Sequence, residues 1–234
     1  MYFYPMGIDP MYLLILVAFG IAMWAQANVQ NNFDRFSRVQ SGAQVTGLQV
    51  ARRILDQNGL YDVKIERSRH GLLSDHYDPR TKTVRLSDAI YSGSSLAALA
   101  VAAHEVGHAI QHDQGYFMLR FRTALVPVAN LGSRMAPIFL VSGFIFSGFE
   151  PLIGIGIGLF AAAVLFQVVT LPVEFNASTR AKNELVSMGL IARNEEYGIN
   201  KVLNAAALTY VASTLVAVLQ LLRLIMIFGG RRRQ

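Results

Sequence analysis

The sequence predicts a mainly α integral membrane protein, with about four transmembrane helices and a small α+β domain between the first and second of them. Three observations predict it. Of 234 residues, 53% are hydrophobic and 15% charged, and the mean hydropathy is +0.37, a balance typical of membrane chains rather than of soluble ones. The apolar residues gather into four long runs instead of spreading evenly. Between the first run and the second lies a mixed polar stretch that holds 12 of the 21 basic and 9 of the 15 acidic residues. The formal charge of +6 does not imply nucleic acid, because arginines flank apolar segments and close the chain at Arg231 to Arg233; anionic lipid headgroups are the simpler partner. With no cysteine, disulfides, thiolate metal sites and cysteine nucleophiles are excluded together.

Five regions follow, at 1–27, 28–122, 123–173, 174–204 and 205–234. Met11 to Ala27 carries no charge and would make about 25 Å of helix, nearly the depth of a hydrocarbon core. It reads as a retained anchor, since Met1 to Pro10 contains Asp9 and no Lys or Arg, unlike a cleaved signal. In the polar domain 28–122, Val45, Leu48, Val50, Ala51, Ile54 and Leu55 mark an amphipathic helix that stops at Asn58-Gly59. Tyr61 to Ile65 and Thr83 to Leu86 alternate like half-buried strands, the second after the turn signal Asp78-Pro79-Arg80. A helix then starts at Ser94 or Ser95 as N-cap and runs to about Gln111.

Thr123 to Phe149 and Pro151 to Val173 read as a transmembrane hairpin. Gly154, Gly156 and Gly158 in its second arm admit either close backbone approach or local flexibility. A polar segment, Glu174 to Asn204, leads to the last apolar helix, Ala205 to Phe228. If each run crosses, Arg35, Arg38, Arg120, Arg122, Arg180, Lys182, Arg193 and Lys201 share one side, which the positive-inside rule makes cytoplasmic. Arg231 to Arg233 stand against them, and Arg223 inside the last run leaves an interfacial or re-entrant helix as the alternative.

The chemistry is concentrated in His104-Glu105-Val106-Gly107-His108, an HExxH pattern on a helix. Four helical residues advance by one turn plus about 40°, so His104 and His108 project from one face and can offer two nitrogens to one zinc ion. Glu105 lies beside them, placed to take a proton from an activated water. A catalytic zinc needs a third protein ligand. His112, on the same helix, would lie about 12 Å from His104 at 1.5 Å per residue, too far for one ion. Glu174, Glu184, Glu195, Glu196 and the loop residue Glu150 are the carboxylates left. Glu174 is preferred, because the hairpin returns it to the side it left, and the same reasoning sends Glu150 to the opposite face.

With these residues in view, the chain resembles the membrane gluzincins typified by HtpX and the CaaX-processing proteases. It is more closely similar to the YugP-like family of bacterial membrane zinc peptidases. The likeness is carried by Asp75-His76-Tyr77-Asp78-Pro79, by His104-Glu105-Val106-Gly107-His108-Ala109-Ile110-Gln111, and by Leu171-Pro172-Val173-Glu174-Phe175-Asn176-Ala177-Ser178. The resemblance implies a zincin-like domain, zinc ligands at His104, His108 and Glu174, Glu105 as the catalytic glutamate, and a multi-pass protein of the bacterial plasma membrane. Ser178 stands where the HtpX group has Asp, so Asn176 or Ser178 is expected to accept the imidazole proton instead.

The function expected is hydrolysis of peptide bonds in peptide or membrane-protein substrates, with an extended substrate pairing along an exposed strand edge such as Thr83 to Leu86. The alternative is a non-catalytic scaffold or chaperone-like protein with structural metal or none. A nucleic-acid binder would need a basic soluble face, which the polar domain does not supply. Simpler readings hold for several other residues. His70 is a loop residue, His112 is a surface residue at a helix end, Asp78-Pro79 is turn chemistry, and Arg180 pairs with Glu184 at four-residue spacing. His76 or Tyr77 could instead reach the metal site.

Overall fold

The structure, a computed structural model, describes residues 10–68, 74–146 and 150–229. His70, residues 147–149 of the expected hairpin turn and the Arg231 to Arg233 tail lie outside the described residues. The elements are α1 (Pro10–Ser37), α2 (Gly47–Gln57), β1 (Lys64–Arg67), β2 (His76–Asp78), β3 (Thr83–Leu86), α3 (Asp88–Tyr91), α4 (Leu96–Asp113), α5 (Phe117–Ile145), α6 (Glu150–Ser187) and α7 (Glu196–Gly229). The chain is mostly helical, and α1, α5, α6 and α7 are each long and apolar enough to cross a membrane.

Every apolar run becomes a helix longer than the run itself. Helix α1 continues ten residues past Ala27, carried by four-residue polar contacts. Asn32 Nδ2 donates to the Asn28 carbonyl at 2.7 Å, and Gln30 Nε2 to Asp34 Oδ1 at 2.9 Å. Helix α6 runs unbroken past Val173 to Ser187 despite Pro172 in its interior, so the first part of the polar segment is helical and continuous with the apolar run. α7 likewise begins at Glu196, before its apolar run.

The residues cluster into two compact units. The first takes in Met1–Ala25, Phe121–Leu171 and Thr209–Gln234. Within it α5 and α6 touch at glycines. A Cβ on Gly132 would sit 2.3 Å from the Leu159 carbonyl oxygen, and one on Gly156 would sit 2.8 Å from Leu140 Cγ. Close approach is therefore the role of Gly156, whereas Gly158 faces open space. Arg223 stacks over the Tyr12 ring at 5.2 Å, which gives the charge inside the last apolar run an aromatic face.

The second unit takes in Gln26–Arg120 and Pro172–Leu208. Its α2 opens on a capping box: the Thr46 side chain accepts from the Gln49 backbone N–H, while Gln49 Oε1 accepts from the Thr46 N–H. It ends where Gly59 takes φ +75°, a backbone that glycine adopts without strain. Arg52 then donates to the Val63 and Leu60 carbonyls, fixing the turn into β1. The core packs Ile54 and Leu55 of α2, Val84 and Leu86 of β3, Leu99 and Val106 of α4, Leu185 of α6 and Ile199 of α7, all fully buried.

The three-stranded sheet has the order β1-β3-β2, with β1 parallel and β2 antiparallel to β3. This corrects the expectation that Thr83 to Leu86 is an exposed edge. Strand β3 is the centre of the sheet, hydrogen-bonded on both sides, and Thr83, Val84 and Leu86 are buried; the edges are β1 and β2. The first strand also starts later than its alternation suggests, because Tyr61 is 75% exposed and belongs to the turn.

Candidate metal centre

Helix α4 is capped by Ser95, whose side chain accepts from the Ala98 N–H at 3.2 Å. Seven of its positions are Ala or Gly between Ala97 and Ala109, namely Ala97, Ala98, Ala100, Ala102, Ala103, Gly107 and Ala109. Such small side chains let neighbouring backbones come close. At Gly107 they do: a Cβ there would lie 2.6 Å from the Ala177 carbonyl oxygen. That contact sets α4 against α6 one turn beyond Glu174, and it explains why glycine stands inside the HExxH motif and alanine three residues after the glutamate.

The two histidines and Glu174 meet at this contact. His104 Nε2 lies 3.3 Å and His108 Nε2 3.7 Å from Glu174 Oε2, and one ligand atom from each of the three residues lies within 4.8 Å of the others. The imidazole rings are 4.8 Å apart at 85°. Glu174 is 3% exposed and His108 9%. Two imidazole nitrogens and a carboxylate oxygen form an all-N/O donor set that fits zinc with three protein ligands and an open fourth position. Burying such groups without a cation to share would be costly.

Two of the other carboxylates weighed as third ligands have other tasks. Glu195 accepts from the backbone N–H groups of Gly42 and Ala192, and Glu196 lies 3.9 Å from Lys182; the Glu150 side chain is outside the described atoms. Glu105, one residue from His104, is buried, and burial pushes its carboxyl up to about 7.

Behind the ligand nitrogens lies a polar shell. Ser178 Oγ is 3.2 Å from His104 Nδ1, as one of the two expected partners. Asn176, the other, does not reach an imidazole. His108 Nδ1 is met by Gln111 Oε1 at 3.0 Å, and Gln111 Nε2 donates in turn to the Val173 carbonyl at 2.8 Å and to Asn176 Oδ1 at 2.9 Å. Gln111 is completely buried. Sequence reasoning passed over it, although a glutamine three residues past the second histidine, on the inward side of the helix, is the signal that could have found it. Arg180 does not pair with Glu184: its Nε donates to Asn176 Oδ1 and its Nη1 to Gln114 Oε1, both at 2.7 Å.

The Asp75 to Asp78 stretch divides its work. Asp75 accepts from the Ser87 N–H at 2.7 Å and from the Ser87 hydroxyl, and burial raises its carboxyl above the ordinary range. His76 Nδ1 faces the Ser74 carbonyl at 2.8 Å. Asp78 accepts from the Arg80 N–H, Thr81 and Arg85, which is turn chemistry. Tyr77 turns to His112, with Oη 2.9 Å from Nδ1, and burial pushes its phenol up to about 12. His112 is thus half-buried against Tyr77 rather than a free surface residue, and the two line a cavity of about 230 Å³ with Asp62, Lys82 and Asp113.

Residues 11–229 match the family described as "Putative neutral zinc metallopeptidase". The chain belongs to this family. It is also 53% identical over 219 residues, 94% of its own length and 96% of the relative's, to the "Putative membrane protease YugP" of Bacillus subtilis (strain 168). No solved structure matches it. The YugP-like resemblance of the sequence is therefore borne out. At the level of the family the chain is a metalloprotease, zinc is the family's metal, and the four apolar helices agree with a protein of the membrane.

Proposed function

We propose that this chain is a membrane-bound zinc endopeptidase of the gluzincin type, in which His104, His108 and Glu174 hold the metal and Glu105 is the general base. The observation that carries the reading is the convergence of these three ligands within 4.8 Å, across seventy residues of sequence between His104 and Glu174. Bound there, zinc would lower the pKa of a water to near neutrality and polarise a carbonyl. Glu105 takes the proton of the attacking water and returns it to the leaving amine. Ser178 and Gln111 hold the outer nitrogens of the imidazoles, so that both rings keep their inner nitrogens on Glu174.

The substrate is a peptide or a membrane protein presenting an extended segment. It pairs with the outer edge of β2, which neighbours β3 on its other side, and main-chain hydrogen bonds hold it with little demand on sequence. Strand β2 packs against α4, the helix that carries the histidines, which favours this edge over β1. The zincin-like unit lies on the cytoplasmic side of a bacterial plasma membrane, by the excess of basic residues near the helix ends.

The full-length protein in detergent, with casein as substrate, provides the test. Wild type carries about one zinc per chain and cleaves. Glu105→Gln keeps the metal and loses about 10²–10⁴-fold in rate, the usual contribution of a positioned base; Glu174→Ala loses the metal. Undiminished cleavage by Glu105→Gln would remove the base, and equal zinc in Glu174→Ala would pass its role to another carboxylate. A metal-free wild type that folds normally would leave the scaffold reading.

A further inference from the structure

The polar shell behind His108 has a direction. An arginine guanidinium can only donate hydrogen bonds. Arg180 Nε lies 2.7 Å from Asn176 Oδ1, so the asparagine must present its oxygen on that side, as its amide nitrogen would set donor against donor. The same Oδ1 faces Gln111 Nε2 at 2.9 Å. Gln111 must therefore present its NH₂ group there, and the Val173 carbonyl at 2.8 Å demands the same. With its nitrogen committed, Gln111 turns its oxygen to His108 Nδ1 at 3.0 Å. An oxygen acceptor at that distance requires a proton on Nδ1. The lone pair of the neutral ring is left on Nε2, which faces Glu174.

We propose that Gln111 is a positioning residue that fixes the tautomer of His108, with the proton on Nδ1 and Nε2 free to bind metal, and that the Val173 carbonyl and the Arg180–Asn176 pair hold it in that orientation. Reversing any link would leave a fully buried amide with like groups facing each other, which folded proteins avoid. His104 is held differently: its Nε2 lies 3.3 Å from Glu174 Oε2, and its Nδ1 faces the hydroxyl of Ser178, which donates or accepts equally well. One ligand is thus set in advance while the other adapts. The benefit to metal binding rests on the metallopeptidase reading; the tautomer does not.

Ring-nitrogen correlation spectra of ¹⁵N-histidine protein test this directly. The full chain in detergent is stripped of metal and the spectra are recorded over a range of pH, the neutral-ring pattern being read from the cross-peaks themselves. Wild type shows His108 with the proton on Nδ1. Gln111→Leu, which removes the acceptor, shifts His108 toward the other tautomer and leaves His104 unchanged, with zinc affinity lowered about 10-fold, as is usual for partners of a ligand. Gln111→Glu, still an acceptor toward His108, and Arg180→Leu, which leaves the Val173 carbonyl in place, keep the wild-type pattern, which separates polarity from mere packing. His108 protonated on Nε2 in the wild type, an unchanged His108 in Gln111→Leu, or His104 and His108 changing together would each overturn the proposal. A wild type with the stated tautomer but no affinity for zinc would sink the metallopeptidase reading and leave this inference standing.

Discussion

Helices α1 and α4 are both rich in apolar residues, yet they meet opposite surroundings. On α1 the large side chains point outward, with Leu14 54%, Val17 62% and Trp24 60% exposed, and small residues such as Ala18 and Ala25 are buried. On α4 Leu99 and Val106 are completely buried among alanines. Composition alone does not separate the two. Length and side-chain size do. Twenty-eight residues give about 42 Å of helix, more than a bilayer core, whereas eighteen give about 27 Å. Bulky residues on the outer face of α1 suit lipid chains, while the alanines and glycine of α4 suit backbone-to-backbone contact. The apolar character of α4 thus serves to dry and narrow a site, and that of α1 to face a solvent of hydrocarbon.

Substitutions can break or sharpen that contrast. Gly107→Val has the largest expected effect: its Cβ would meet the Ala177 carbonyl at 2.6 Å, so α4 and α6 must part at the ligands. Thermal unfolding in detergent should show destabilisation on the order of 4–5 kcal/mol, with bound zinc lost. Comparing Leu99→Ala with Leu14→Ala sets the core of one helix against the outer face of the other. The first should cost about 2–5 kcal/mol through the cavity it leaves, and the second under about 0.5 kcal/mol; equal losses would contradict the contrast. Ser95→Ala lies between these two. It removes only the bond to the Ala98 N–H and should cost ~1 kcal/mol while leaving zinc content unchanged.

Much of this arrangement was legible in the residues, because local rules govern it. Ser95 before an alanine-rich run, Thr46 three residues ahead of Gln49, and Asn58-Gly59 at the end of α2 announce helix limits through chemistry contained within one turn. The pairing of Glu174 with the histidines was legible through topology, since a hairpin brings its ends back to one side. What escaped depends on contacts that no short window contains. Strand β2 has three residues, too few for alternation to register, and its presence is what moves β3 from edge to centre. Arg180 has a carboxylate four residues on, which suggested an ion pair; tertiary structure offers it instead two amide oxygens from Asn176 and Gln114. The same cause hid Gln111, whose partners lie more than sixty residues away on α6.

The seventy residues separating His104 from Glu174 are also an interval of biosynthesis. At about 5–20 residues per second, a ribosome spends roughly 4–14 s between making the first and the last member of the cluster. Throughout that interval the nascent chain holds an imidazole pair with no carboxylate to complete it. Assembly of the cluster is therefore tied to completion of α5 and most of α6, so a truncated or stalled product carries the motif without its carboxylate.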